Sequence, residues 1–319
     1  MASEFEIIRR YFTRPARTAV LGIGDDCALV RPRPGRALAV STDTLLAGRH
    51  FFPDADPVRL GHKALAVNLS DLAAMGADPR WALLAIALPK ANGKWIAAFA
   101  RGFFRLARRF QTELIGGDTT QGPLAISITA IGEVQPQLAL RRDRARAGDD
   151  IWLSGATGEA ALALAHLRGR VRLKGRARDA CLERLNAPEP RVELGRRLRG
   201  LARSAIDVSD GLLADLGHVA RASGVAAELS WEGIPRPEAI ARCPDRALAK
   251  NCLLAGGDDY ELVFTAPRSR RAEIKTAGKK AGVRLTAIGV AVAGRPAVRV
   301  RDANGRTVPA PRAGFDHFA

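Results

Sequence analysis

Aromatic residues make up only 5% of this 319-residue sequence, against 50 lysines and arginines and a formal net charge of +17. Such a charge attracts anions of any kind, but a nucleic-acid platform interleaves basic with aromatic side chains. Here the cations are scattered through RPRPGR, RRDRAR, RGRVRLKGRAR and RSRR. They read as a solvated surface, and no specific nucleic-acid partner is expected. Cysteine is scarce as well: Cys27, Cys181, Cys243 and Cys252 form no CxxC and share no zinc-ligand spacing with the five histidines. That argues against a zinc centre and predicts reduced thiols in the core, Cys27 among them. No apolar run approaches a membrane span, and MASEFEIIRR puts acids and arginines where a signal peptide has its apolar stretch. A cytoplasmic protein without a membrane partner is expected. The GxxxxGK[ST] P-loop is missing, as are the HRD and DFG signatures of protein kinases, so nucleotide binding would need another design.

What is present is a globular composition, 47% hydrophobic and 26% charged, in a chain long for one core and comfortable for two. Strand and helix patterns alternate throughout, which predicts an α/β or α+β class. Near Gln135 to Asp149 the pattern breaks into a connection containing proline and arginine, so the expected domains are 1–137 and 138–319. The stretch KALAVNLSDLAAMGADP, Lys63 to Pro79, is apolar nearly all the way round and predicts a buried helix, stopped by Gly76 and Pro79. It carries Asn68 and Asp71 on one face, and a carboxylate on such a helix needs a partner, ideally a cation.

Further aspartates recur beside glycine, serine or threonine in GIGDD, STDT, GGDTT, DVSDG and GGDDYE. Carboxylates with hydroxyls and carbonyls are hard oxygen ligands suited to Mg²⁺, which commonly bridges substrate phosphates. Glycine beside each acid lets the backbone approach a phosphate closely. The pattern therefore proposes a magnesium and phosphate site. Ser209 and Asp210 are expected at a helix N-cap, the Gly155–Gly158 turn is read as structural, and Tyr260 and Glu261 are expected to pack or pair locally.

Taken together and in order, GIGDDCALV, STDTLLAGRHF, HKALAVNLSDLAAMGADP, LIGGDTTQGPL, AIDVSDGLLADLGH, GGDDYEL and the terminal GFDHF resemble the thiamine-monophosphate kinase family. That family belongs to the superfamily that includes aminoimidazole ribonucleotide synthetase and selenophosphate synthetase, and the resemblance runs nearly end to end. It implies a two-domain aminoimidazole ribonucleotide synthetase-like fold of α/β (α+β) class: an N-terminal sheet domain that dimerises and a C-terminal α/β domain. It also implies transfer of the ATP γ-phosphate to thiamine phosphate, with ATP as co-substrate and several Mg²⁺ ions.

Carried over by position, the resemblance makes Asp26, Ser41, Thr42, Asp43, Asp71, Asp118, Asp207 and Asp210 metal ligands, some through water or backbone. Asp71, Asp118 and Asp210 are the catalytic candidates among them. Gly117, Asp118, Arg142 and Ser209 would contact the nucleotide, and His50, Asp258 and Phe315 the thiamine phosphate. Asp258 stands where glutamate is commoner in the family. Asp25 competes with Asp26 for metal, Arg142 lies in a run with Arg141 and Arg144, and His50 could instead cap a loop. The alternatives are another ATP-dependent member of the superfamily, although no reactive cysteine precedes Cys27, or a basic nucleic-acid-binding protein that keeps the fold without catalysis.

Overall fold

The structure, a computed structural model, describes residues 3–310. Phe315 lies outside that range. The chain divides into two compact units, residues 1–72 with 77–137 and residues 73–76 with 138–319.

The first unit opens with α1 (Glu4–Ile7), which continues as one wide π turn over Ile8–Phe12. Strand β1 (Ala37–Leu46) leads to helix α2 (Pro57–Ala74), followed by β2 (Asp78–Leu88), α3 (Gly93–Arg109), β3 (Glu113–Gln121) and β4 (Ala125–Val134). The sheet order is β1-β4-β2-β3, with β4 antiparallel to both neighbours and β2 parallel to β3. Apolar residues of α2 (Leu65, Leu69, Leu72) and α3 (Phe99, Phe103, Leu106) are buried with Trp81 and Ile86 of β2. The apolar periphery of α2 is thus a core-facing surface, as its sequence dictates, and Gly76 ends its last turn with φ +64°. At the other margin β1 is an edge strand, and Leu38, Val40 and Leu46 on it remain exposed.

The second unit contains β5 (Asp150–Ser154), α4 (Glu159–Leu167), α5 (Gly175–Asn186), α6 (Val192–Leu198), β6 (Ser204–Asp207), α7 (Leu212–Ser223) and β7 (Ala226–Ser230). It closes with α8 (Glu238–Ala241), α9 (Arg246–Ala255), β8 (Leu262–Ala266), α10 (Arg271–Ala281), β9 (Leu285–Val292) and β10 (Ala297–Arg301). Its sheet runs β10-β7-β9-β5-β8-β6, with only β10–β7 parallel. Ile151, Leu153, Ile206, Val263 and Ile288 of the sheet share a core with Leu162, Leu216 and Leu253 of the helices. Cys181, Cys243 and Cys252 are buried there, but Cys27 is exposed, contrary to expectation. The glycines and aspartates around Cys27 keep the chain in an open turn, so a flanking apolar sequence does not bury it. Among the described residues no helix is long and apolar enough to cross a membrane.

Candidate active site

Side chains of a strand alternate between two faces, and β1 divides the STDT residues accordingly. Ser41 donates its hydroxyl to Asp71 Oδ2 on α2 at 2.5 Å, and the Asp43 amide donates to Asn68 Oδ1 at 3.1 Å. The buried Asn68 is fixed in turn by donating to the Ala64 carbonyl at 3.1 Å. Asp71 is only half-buried, because it sits on the α2 face turned to β1, whose side chains are short and polar. Thr42 points to the opposite face and shares a 2.8 Å hydrogen bond with Thr129. Only its backbone can serve a ligand on the Asp71 side. His50 caps the turn after β1, its Nδ1 accepting from the Leu46 amide at 3.0 Å. That bond fixes the neutral ring with its proton on Nε2.

A cavity of about 860 Å³ gathers the other first-unit candidates: Asp25 and Asp26 from the GIGDD loop with Gly117 and Asp118 from β3. Gly117 has φ +146°, and a Cβ there would lie 1.8 Å from the Leu84 carbonyl oxygen. Only glycine fits this bend, which turns Asp118 outward, exposed. Gly117→Ala is accordingly expected to destabilise the protein by roughly 1–3 kcal/mol, read as a lower urea midpoint. An unchanged midpoint would mean that β3 adapts freely.

In the second unit, DVSDG and GGDDYE lie side by side, backbone to backbone. The amide of Asp258 donates to the Ser209 carbonyl at 2.9 Å, that of Tyr260 to Val208 at 2.8 Å, and that of Val208 to Glu261 at 2.8 Å. A Cβ on Gly257 would stand 2.3 Å from the Ser209 carbonyl oxygen, so the approach depends on glycine. Asp258 (φ +67°) and Tyr260 (φ +51°) both adopt left-handed backbone, a strain typical of functional segments. The Tyr260 hydroxyl donates to Asp258 Oδ1 at 3.0 Å. Ser209, Asp210 and Asp258 are therefore neighbours, with the buried Asp207 at the end of β6 leading into them.

Of the three candidate arginines, Arg141 is committed to Asp143 through a two-pronged ion pair at 2.9 and 2.5 Å. Arg142 borders α7: its carbonyl accepts from Ser223 at 2.7 Å. Partial desolvation, then the charges of Arg221 and Arg142, pull the His218 pKa down while Asp210 pulls it up. Arg142 and Asp210 thus act on the same side chain of α7.

Three acids outside the candidate ligand set hold this region, Glu261 by the pairing expected of it and Asp215 and Asp259 without having been singled out. Asp215 Oδ2 accepts the amides of Ser209, Asp210 and Gly211 at 3.0, 3.0 and 3.1 Å. Burial pushes its carboxyl up to about 7, against these backbone donors. The α7 N-cap is Gly211, not Ser209 or Asp210, because Asp215 reaches back from the first turn to do the capping. An acid in a first helical turn was the signal for it. Asp259 similarly accepts from the Gly158 amide at 2.8 Å at the start of α4, so the Gly155–Gly158 turn is filled by the protein's own carboxylate. Glu261, fully buried, accepts from Arg191 through two bonds (2.7 and 2.5 Å) and from Ser154 at 2.5 Å.

Among the described residues no three His, Cys, Asp or Glu side chains form a ready-made metal cage. Mg²⁺ does not ask for one, since it is usually bound through one or two carboxylates, waters and substrate phosphates. The Ser41–Asp71 pair and the Asp25, Asp26 and Asp118 carboxylates are hard oxygen donors of that kind.

The profile of the AIR synthase related protein N-terminal domain matches residues 24–134, and that of its C-terminal domain residues 146–301. The thiamine-monophosphate kinase of Salmonella typhimurium is 44% identical over 99% of this chain and 98% of its own. The crystal structure of the thiamine-monophosphate kinase from Stenotrophomonas maltophilia K279a superposes with a TM-score of 0.85 at 46% identity, covering 95% of this chain and 96% of that one. AaThiL, solved in complex with AMPPCP and TMP, gives 0.77 at 29% identity, covering 90% and 89%. Two domain profiles in tandem and near-complete coverage of close relatives lead to one conclusion: the chain belongs to the thiamine-monophosphate kinase family of AIR synthase related proteins.

Proposed function

We propose that this chain is a thiamine-monophosphate kinase, moving the γ-phosphoryl group of ATP onto the phosphate of thiamine phosphate to give thiamine diphosphate and ADP. The observation that carries this reading is the meeting of GIGDD acids with Gly117 and Asp118 in one cavity, in a chain aligned end to end with kinases of that name.

The acceptor is itself a phosphate monoester, with a second pKa near 6, and is largely dianionic at neutral pH. One of its oxygens forms the new P–O bond as the bond to the ADP oxygen breaks, and a general base is hardly needed. The barrier lies in bringing two polyanions together, so the work is charge neutralisation and positioning. Mg²⁺, when bound, neutralises phosphate oxygens. Ser41, Asp43 and Asp71, the backbone of Thr42, and Asp26, Asp118, Asp207 and Asp210 are the proposed holders of such ions. Gly117 lets phosphate reach the backbone. Ser209, its amide committed to Asp215, offers its hydroxyl to the nucleotide, together with Arg142. His50 and Asp258 are assigned to thiamine phosphate, and Asp258, one methylene shorter than glutamate, is held by Tyr260. Two copies are proposed to pair through the first unit's sheet, where Leu38, Val40 and Leu46 leave an exposed apolar edge, and the enzyme is placed in the cytoplasm.

Purified protein incubated with ATP, Mg²⁺ and thiamine phosphate should yield ADP and thiamine diphosphate in equal amounts, and neither after addition of EDTA. ADP without thiamine diphosphate would overturn the assignment in favour of another acceptor.

A further inference from the structure

The cavity that holds Asp26, Gly117 and Asp118 is also lined by apolar side chains. Phe5, Ile8 and Phe12 are among them, together with Leu83, Leu114 and Ile131. Residues 5, 8 and 12 are spaced three and four apart, which puts them on one stripe of a helical segment. The segment is built to present that stripe. Ser3 and Glu6 close a capping box at its start, the Glu6 amide donating to Ser3 Oγ at 3.3 Å and the Ser3 amide to Glu6 Oε2 at 2.8 Å. At its end a wide turn is closed by the Thr13 amide on the Ile8 carbonyl at 2.9 Å. Phe12 and Ile7 anchor the segment, only 4% and 5% exposed, whereas Phe5 is 76% exposed while lining the cavity. An aromatic ring held on a capped turn, open to a cavity and not absorbed by the core, is a surface for a flat ligand.

We infer that Phe5, with Ile8 beside it, is a positioning residue for the nucleobase of the nucleotide whose phosphates meet Gly117, Asp118 and Asp26 in the same cavity. This inference rests on the nucleotide reading of that cavity. A nucleotide has the matching polarity: a flat, weakly polar base at one end and a polyanion at the other. The cavity's size falls in the range of small-molecule sites. Phosphate recognition by the acidic and glycine-rich lining carries no information about the base, so the apolar stripe supplies the contact that distinguishes a nucleotide from a bare polyphosphate.

The test uses the full-length protein and equilibrium binding, so it needs no turnover of thiamine phosphate. ADP and tripolyphosphate are titrated in the presence of Mg²⁺ into the wild type, Phe5→Ala and Phe5→Trp. Loss of one aromatic–base stack is expected to weaken ADP by about tenfold in Phe5→Ala, with tripolyphosphate affinity unchanged and ADP affinity recovered in Phe5→Trp. Because Phe5 is so exposed, its truncation leaves the fold intact, and an unshifted melting curve checks this. Equal weakening of ADP and tripolyphosphate, or no change in either, would overturn the inference. Failure of wild type to bind ADP at all would overturn the nucleotide reading of the cavity and the inference with it, while normal ADP binding without thiamine diphosphate formation would strike the proposed acceptor alone.

Discussion

Asp71→Asn is expected to lower turnover by about 10²–10³-fold, the scale on which removing one preorganised electrostatic group acts, while leaving the fold intact. The substitution keeps the shape of the side chain and an oxygen that can accept the Ser41 hydroxyl, the 2.5 Å contact that joins β1 to α2. Only the negative charge is lost. The fold does not need that charge: Asp71 is half-buried, and the neighbouring turns of α2 are held by Leu65, Leu69 and Leu72. If Asp71 holds Mg²⁺, the variant should also need a higher Mg²⁺ concentration for half-maximal rate. Thiamine diphosphate formation across a Mg²⁺ titration, alongside a melting curve, separates the effects. A wild-type rate at ordinary Mg²⁺ would remove Asp71 from the metal site, and a melting point lowered by many degrees would make it a structural residue.

How much of this was legible in the sequence depends on the range of the interaction involved. The α2 helix was readable because its apolar periphery and its Gly76 stop are local signals, whereas the pairing of Ser41 and Asp43 with Asp71 and Asn68 is a contact between elements that only the structure shows. The segregation of Thr42 from Ser41 follows from the strand's period of two. The sequence could not show that Cys27 lies exposed, because burial is decided by what packs over a turn, not by its apolar neighbours. Nor could it show that Arg141 is spent on Asp143 while Arg142 borders α7, since both are arginines in one run. The Asp215 cap had a local signal in its first-turn position. The contacts of Glu261 with Ser154 and Arg191 had none, because 107 and 70 residues separate those partners. The aspartate motifs themselves were clear, but their grouping into an acidic cavity and a DVSDG–GGDDYE pair is a property of the tertiary structure.

The Glu261–Arg191 pair should yield the largest stability effect in the molecule. Glu261 is completely buried and the Arg191 side chain is 12% exposed, so both charges have left most of their water. Two hydrogen bonds from the Arg191 guanidinium, one from Ser154 and a longer one from Arg184 at 3.4 Å replace it. A pair of this kind adds little relative to a well-packed apolar one, but removing Arg191 leaves the buried carboxylate only the longer Arg184 contact and costs toward the lower end of about 3–5 kcal/mol. Arg191→Met should therefore lower the melting point by roughly 10 °C, at the 2–4 °C per kcal/mol usual for units of this size.

The cost comes from the buried carboxylate, so removing that carboxylate as well should relieve it. Arg191→Met combined with Glu261→Gln should recover more than half of the loss, since the buried carboxylate is gone and Arg184 keeps Glu159 as a partner. Because Glu261 ends the segment that carries Asp258, the double variant should also keep the backbone bonds to Val208 and Ser209 and with them its affinity for thiamine phosphate. A single-variant deficit below about 1 kcal/mol, the value of a solvated surface pair, would show that water reaches Glu261 and that the ion pair does not hold the GGDDYE segment in place.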